Sequence, residues 1–169
     1  MDHVRVRAWA GTIVFLALAP GVVAGVIPWL ITGWQMSWPG GWVWPFAIVA
    51  AISIVGGVIV LLNAFIRFAR ADGTPAPPVP TAHLVVVGPY RYVRNPMYEA
   101  VLVIILGQAL LFASWATALY AGIVFLAVLV FVRYYEEPTL EREYGHEYRE
   151  YRRNVRGWIP RVRPWNGVD

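Results

Sequence analysis

Cysteine is absent from the 169 residues. That excludes disulfides, thiolate metal sites, a thiol nucleophile and S-palmitoylation together. Lysine is absent too, so all fourteen basic side chains are arginines, each permanently charged and able to grip planar anions with two donors. Charge of either sign is scarce: 14% of the residues are charged against 59% hydrophobic, which rules out an ordinary soluble domain. The sequence also lacks the glycine-rich dinucleotide fingerprint, a P-loop, an H-E-x-x-H pair and a G-x-S-x-G elbow. Its three histidines, His3, His83 and His146, are scattered, and no metal site is expected. The net charge of +4 suggests no nucleic-acid partner, because the arginines follow a membrane pattern.

What the sequence does have is apolar length. Residues 9–31, interrupted by Pro20 and Pro28, read as a kinked transmembrane helix, too long for a cleaved signal peptide. Residues 42–68 read as a second span. Its Gly56-Gly57 pair, like Gly21 and Gly25 in the first, permits close helix contact. Residues 98–132 would form one helix of roughly 50 Å against a hydrocarbon core of about 30 Å. The chain is therefore expected to fold back at residues 113–116, giving helices over 97–112 and 117–134. Trp34, Trp38, Trp42 and Trp44 suit an outer interfacial belt, while Asn63 and Gln108 suit hydrogen bonds between helices.

Arginine placement gives the topology. Arg5 and Arg7 precede the first span, Arg67, Arg70, Arg91 and Arg94 fall between the second and third, and the other eight follow the fourth, whereas residues 32–41 and 113–116 carry no charge. This pattern predicts an all-α, multi-pass integral membrane protein with four transmembrane helices and both termini cytoplasmic. A single membrane domain divides into two N-terminal helices (1–71), a cytoplasmic loop (72–97) with a proline-rich stretch, a helical hairpin (98–134) and a cytoplasmic segment (135–169). The last carries alternating charges with Leu140, Tyr144, Tyr148 and Tyr151 at helical spacing, the pattern of an amphipathic helix.

Two features on the cytoplasmic side carry chemistry. One is the run Gly88-Pro89-Tyr90-Arg91-Tyr92-Val93-Arg94-Asn95-Pro96-Met97-Tyr98. Gly88-Pro89 turns the chain, and Asn95-Pro96 sets a helix start with Asn95 as the cap. A helix N-terminus flanked by guanidinium groups suits a carboxylate or phosphate; the same residues also suit topology anchors and an aromatic belt. The other is Glu136-Glu137 before Pro138, placed where a helix C-terminus would disfavour anions. A nearby cation is expected: Arg133, a loop arginine, or a cationic or hydroxyl-rich ligand.

These blocks, followed by Tyr144-Gly145, Tyr148, Tyr151 and Trp158-x-Pro160, strongly resemble the isoprenylcysteine carboxyl methyltransferase and phospholipid methyltransferase family of membrane enzymes, over about residues 81–161. The resemblance implies methyl transfer from S-adenosylmethionine at the cytoplasmic face to a lipid or isoprenoid acceptor that enters sideways between helices. It implies that Gly88, Tyr90, Arg91, Asn95, Pro96 and Tyr98 shape the donor pocket, with His83 opening the block. Glu136 or Glu137 would bind the donor's ribose or ammonium group, Tyr148 and Tyr151 would close the pocket, and Arg91 or Arg94 would face a carboxylate. The family often has His where Asn95 stands, so an imidazole base does not apply at this position. Glu99 stands where small or apolar residues are common, as an acceptor-specific group or as a partner of Arg91 or Arg94.

A sulfonium methyl is already activated, so transfer needs alignment and exclusion of water more than a strong base or a metal. A carboxylate acceptor would need only an arginine to position it. An amine would have to lose a proton, and Glu99 is the one candidate at membrane depth to take it. Two alternatives remain at this point: a membrane reductase on a sterol-reductase-like scaffold with a nicotinamide cofactor, and a non-catalytic membrane interaction protein.

Overall fold

The computed structural model describes residues 16, 18–38, 43–70, 84 and 86–167. Among them the secondary structure is entirely helical. Helix α1 (Val22–Thr32) opens with a π-wound stretch, Val22–Val26, and continues as α-helix over Ile27–Thr32. Then come α2 (Val43–Arg70), a 3-10 turn (Gly88–Arg91), α3 (Pro96–Leu111) and α4 (Trp115–Phe131). A second π-wound stretch, Val132–Glu136, leads directly into α5 (Glu137–Asn154). Two helical runs, residues 43–67 and 115–154, are long and apolar enough to cross a membrane. In the second, the apolar part ends where Arg133 begins the charged residues. The apolar windows of these runs are only 17% and 22% buried, with Ile52, Ile59, Leu126 and Val130 on the outside. Water is a poor solvent for such faces, and lipid a good one.

The α3–α4 hairpin turns where its length demanded. Ser114 caps α4: its hydroxyl oxygen accepts from the Thr117 N–H at 3.2 Å and from the Thr117 hydroxyl at 2.9 Å. The other end of the turn is closed from a distance. The Trp38 indole donates to the Leu110 and Leu111 carbonyls at 3.2 and 3.1 Å while its ring stacks on Phe46 at 4.6 Å. Trp38 thus gives the Leu111 carbonyl a donor at the helix end and adds a second to the Leu110 carbonyl, which also accepts from the Ala113 N–H at 3.3 Å. Trp34 and Trp44 are exposed, as a belt requires; Trp42 lies outside the described residues.

The core lies where α2 meets α3, and two glycines set the distance. A Cβ on Gly57 would sit 2.7 Å from Ile104 Cγ1 and 3.0 Å from the Ala100 carbonyl; one on Gly107 would sit 2.8 Å from Ile54 Cγ1 and 3.2 Å from the Ala50 carbonyl. Backbone thus packs against side chain at both crossings, and Phe65, Ala100, Ile104 and Ile105 fill the space between. Among the described residues Gly25 and Gly56 have nothing within 4 Å of an added Cβ, and Gly21 meets only the Leu16 carbonyl, so the spacing of Gly21 and Gly25 marks no close contact with another described helix.

Prolines explain both π-wound stretches. Pro28 and Pro138 each follow one by two residues. A proline lacks the N–H that its i−4 carbonyl expects, and its ring crowds that carbonyl, so the preceding turn loosens. The carbonyl opposite Pro28 is that of Ala24, and Gln108 Nε2 donates to it at 2.6 Å; the neighbouring Val23 carbonyl accepts from the Tyr120 hydroxyl at 2.9 Å. Gln108 therefore bridges helices as expected, whereas Asn63 does not: it accepts from Arg67 Nε, 2.7 Å away on its own helix. The second π-wound stretch overturns the expectation that Glu136-Glu137 ends a helix. Both residues keep helical φ/ψ and the chain runs on into α5, so Glu137 lies within one continuous helical run, Trp115–Asn154, and not at a C-terminus that would disfavour an anion.

Replacing Gly57 by valine should lower unfolding stability by about 1–3 kcal/mol through overpacking, while Gly25→Val should leave it nearly unchanged; titration into denaturing detergent compares them. Gln108→Leu should cost about 1–2 kcal/mol by orphaning the Ala24 carbonyl. In a Pro28→Ala background, where a backbone N–H can return, most of that loss should disappear, and the double-mutant cycle reads the difference.

Candidate active site

The site begins at the 3-10 turn before α3. Gly88 is left-handed with φ 56°, which strains any other residue, and a Cβ there would also displace the Arg67 guanidinium that packs against it. The following residues run alongside the C-terminal tail, bonded backbone to backbone. Arg161 N–H donates to the Tyr92 carbonyl, Trp165 N–H to the Arg91 carbonyl, and Arg94 N–H to the Arg156 carbonyl, each at 2.9 Å. Arg91 adds its side chain to this seam: Nε donates to the Trp165 carbonyl at 2.9 Å and Nη2 bonds Asn166.

Arg94 points the other way, into the protein. Its Nη1 donates to Glu137 Oε1 at 2.7 Å and to the Tyr148 hydroxyl at 3.0 Å. The side chains of Arg94 and Glu137 are only 13% and 10% exposed. Burial at that level requires each charge to have the other. Arg152 at 3.4 Å and Arg133 at 3.6 Å approach the second oxygen of Glu137; Arg133 is largely exposed and contributes little. Next to this pair, the Tyr98 hydroxyl donates to Glu136 Oε2 at 2.8 Å, and the Tyr151 hydroxyl donates to the Tyr90 carbonyl at 2.7 Å. Tyr148, Tyr151 and Val155 form a second small core with Leu84, Val86, Leu140, Tyr144 and Trp165.

Tyr90, Arg94, Asn95, Pro96, Tyr98, Glu136, Glu137, Tyr148 and Tyr151 are thus tied into one cluster or lie beside it in the chain. Arg91 is committed to the tail, and Glu99 lines a groove between α2 and α3 together with Gly88 and Pro96. His83 lies outside the described residues, as does most of the proline-rich stretch. Asn95 departs from expectation: its side chain makes no cap bond. It turns instead toward the tail, where a Cβ on Gly157 would come within 3.5 Å of its Nδ2 and 3.2 Å of Arg94 Nη2. Sequence reasoning missed Arg152 and Gly157. The i, i+4 spacing from Tyr148 to Arg152 signals a shared face, but nothing in the sequence marks Gly157.

Burial pushes the Tyr90 and Tyr151 hydroxyls well above their ordinary value and Tyr148 up to about 12, with Arg94 pulling the last two back. These hydroxyls keep their protons at neutral pH. Burial also raises the Glu136 carboxyl; the Tyr98 bond opposes this, Glu137 adds to it, and Arg94 opposes it. A carboxyl raised in the folded state holds its proton more tightly there than when unfolded, so it takes stability away as pH climbs through that window and gives it back as pH falls. The difference in unfolding stability between wild type and Glu136→Gln, followed from pH 4 to 8 by detergent titration, should therefore move against the wild type with rising pH. Tyr98→Phe, which removes a bond to the charged form, should steepen the change.

Two orphaned atoms complete the site: Arg94 Nε and Asn95 Nδ2 are buried without a hydrogen-bond partner. Among the described residues no cluster of His, Asp and Glu could hold a metal ion. No curated protein matches the chain. A family model described as phospholipid methyltransferase matches residues 46–147, from within α2 through the arginine-tyrosine loop, the hairpin and the acidic pair into α5. The match covers more than half of the chain and both sides of the Arg94–Glu137 contact, and by it the protein belongs to the phospholipid methyltransferase family of membrane methyltransferases.

Proposed function

We propose that the Arg94–Glu136–Glu137 cluster binds S-adenosylmethionine and that its methyl group passes to a lipid or isoprenoid acceptor in the membrane. The observation that carries this reading is the meeting of the two hairpin ends around buried, unpartnered donors. Arg94 Nε and Asn95 Nδ2 have no partner and suit the donor's carboxylate. Glu136, held by Tyr98, suits its ribose hydroxyls or ammonium group. Glu137 is already matched by Arg94 and Arg152 and serves to hold Arg94 in place. When bound, the donor supplies a methyl group activated by its sulfonium charge. The protein's own residues then have to bind, align and exclude water. Neutral tyrosines and the tail suit that task.

In the same reading the chain is one membrane domain with four spans. Residues 1–71 hold two, 98–134 form the hairpin, and the loop 72–97 and segment 135–169 lie on the cytoplasmic side with both termini and the site. The one-sided arginines support this orientation.

Calorimetry on the detergent-purified protein should show binding of S-adenosylmethionine and of its demethylated product, with a nicotinamide dinucleotide silent. Glu136→Gln should weaken donor binding about tenfold or more, about 1.4 kcal/mol. Glu137→Gln should instead unfold the protein more readily, by about 3–5 kcal/mol, because it strands a buried arginine. Heat from the dinucleotide alone would transfer the site to the reductase reading.

A further inference from the structure

We propose that residues 153–163, the end of α5 and the loop after it, dock onto the surface of a bilayer rich in anionic lipid, and that this contact holds shut the seam between the tail and the loop that carries Arg94. The inference stands apart from the methyltransferase reading. The loop is pinned at both ends: Val155 is 1% exposed, and Trp165 packs against the small core that Val155 shares with Tyr148 and Tyr151. Between these anchors Ile159 and Val162 turn outward, 61% and 98% exposed. One exposed apolar side chain needs no explanation. Two on an anchored loop, beside a tryptophan and among arginines, form a surface of a particular chemistry.

The loop also has a depth. It crosses the start of α3, with Trp158 on the α4 side and Pro160 beside Gly88 and Tyr92 in the lining of the α2–α3 groove. Trp158 meets the Phe125 ring edge-on, with the centroids 5.5 Å apart. Phe125 lies eight residues before Arg133, the first charge of that helical run, or about 12 Å along the axis. Helical side chains lean toward the N-terminus, here away from the charged end. Phe125 and its neighbour Leu126 are themselves exposed, as lipid-facing residues are. Trp158 has therefore come down alongside the apolar part of α4, which puts Ile159, next in the chain, near the level where headgroups give way to hydrocarbon. An indole favours that level.

Charge selects the lipid. Arg153, Arg156 and Arg163 are exposed, and among the described residues their side chains have no acidic partner, whereas Arg149 and Arg152 face Glu141 and Glu137. Guanidinium groups on both sides of two outward apolar side chains match a lipid surface of net negative charge: the apolar groups enter the hydrocarbon edge while the arginines stay with the phosphates. A neutral bilayer would take the apolar groups and leave the charges unanswered. The link to the seam is direct. Arg161 N–H donates to the Tyr92 carbonyl, and the Arg156 carbonyl accepts from Arg94 N–H, so one short segment holds the lipid with its side chains and the loop with its backbone. Lipid that fixes the segment thereby reduces opening of the seam.

The test uses the full chain in lipid nanodiscs, one set of choline phospholipid alone and one in which about a third of the lipid carries a glycerol head and a net negative charge. Hydrogen exchange at the Arg161 and Trp165 amides, both bonded across the seam, reads its opening. Exchange should slow about tenfold or more on the anionic bilayer, and high salt should remove most of the difference. With Arg153→Gln, Arg156→Gln and Arg163→Gln combined, the anionic bilayer should give no slowing, while exchange on the choline bilayer should match the wild type. Because the chain has no cysteine, Val162→Cys offers a unique site for a nitroxide, which on the anionic bilayer should meet dissolved oxygen more readily than a water-soluble nickel chelate. Equal exchange on the two bilayers, slowing that survives the triple substitution, slowing reproduced on the choline bilayer by inorganic phosphate, or a nitroxide open to the chelate would each overturn the proposal. Slowing that requires two chains in one nanodisc would give the surface to a second copy and overturn it as well. None of these outcomes touches donor binding, which its own calorimetry decides.

Discussion

The pairing of Arg94 with Glu137 is the contact on which the rest of the architecture at this end of the hairpin depends. Neither charge is buried comfortably alone, and at 2.7 Å each fixes the position of the other. Arg94 belongs to the loop that starts α3, and Glu137 to the first turn after α4 and its π-wound stretch. One ion pair therefore locks together the two ends of the hairpin. Tyr98 with Glu136 repeats the connection alongside, and Tyr148 joins it to α5. The tail runs along the other edge of the same loop by backbone bonds, so the loop is held from both sides.

Helix α3 separates two chemical environments. At successive residues it presents a phenol to the buried acids of the cluster and a carboxylate to an apolar groove. The close crossing of α2 and α3 at Gly57 and Gly107 holds this wall rigidly against its neighbour. Gly56, one residue away, leaves the groove beside the crossing open. One helix thus faces a buried polar cluster on one side and an apolar groove on the other.

Much of this was legible in the sequence because it follows from length, charge and short-range chemistry. The turn at Ser114 follows from a run too long for a bilayer. The encounter of arginines with the acidic pair follows from the cost of leaving two acids unmatched, and Gln108 as a bridge follows from an amide in an apolar helix. What was hidden depends on partners far along the chain. Asn95 reads as a helix cap until Gly157 comes beside it. Trp38 reads as a belt residue until it reaches Leu110 and Leu111. The acidic pair reads as a helix end because a sequence gives no sign that Pro138 will be accommodated by loosening the preceding turn rather than by stopping the helix. The family match extends from within α2 to α5, while Tyr148, Tyr151 and the tail that completes the cluster lie beyond it.

The seam between the loop and residues 156–166 also sets an order of assembly. During synthesis the helices emerge first, and the loop before α3 lacks its backbone partners at residues 156, 161 and 165, and Arg91 its partners Trp165 and Asn166, until the tail has been made. Closure of this seam is therefore one late event, and a nascent or prematurely halted chain can have its helices packed while the edge of the loop beside the tail stays open.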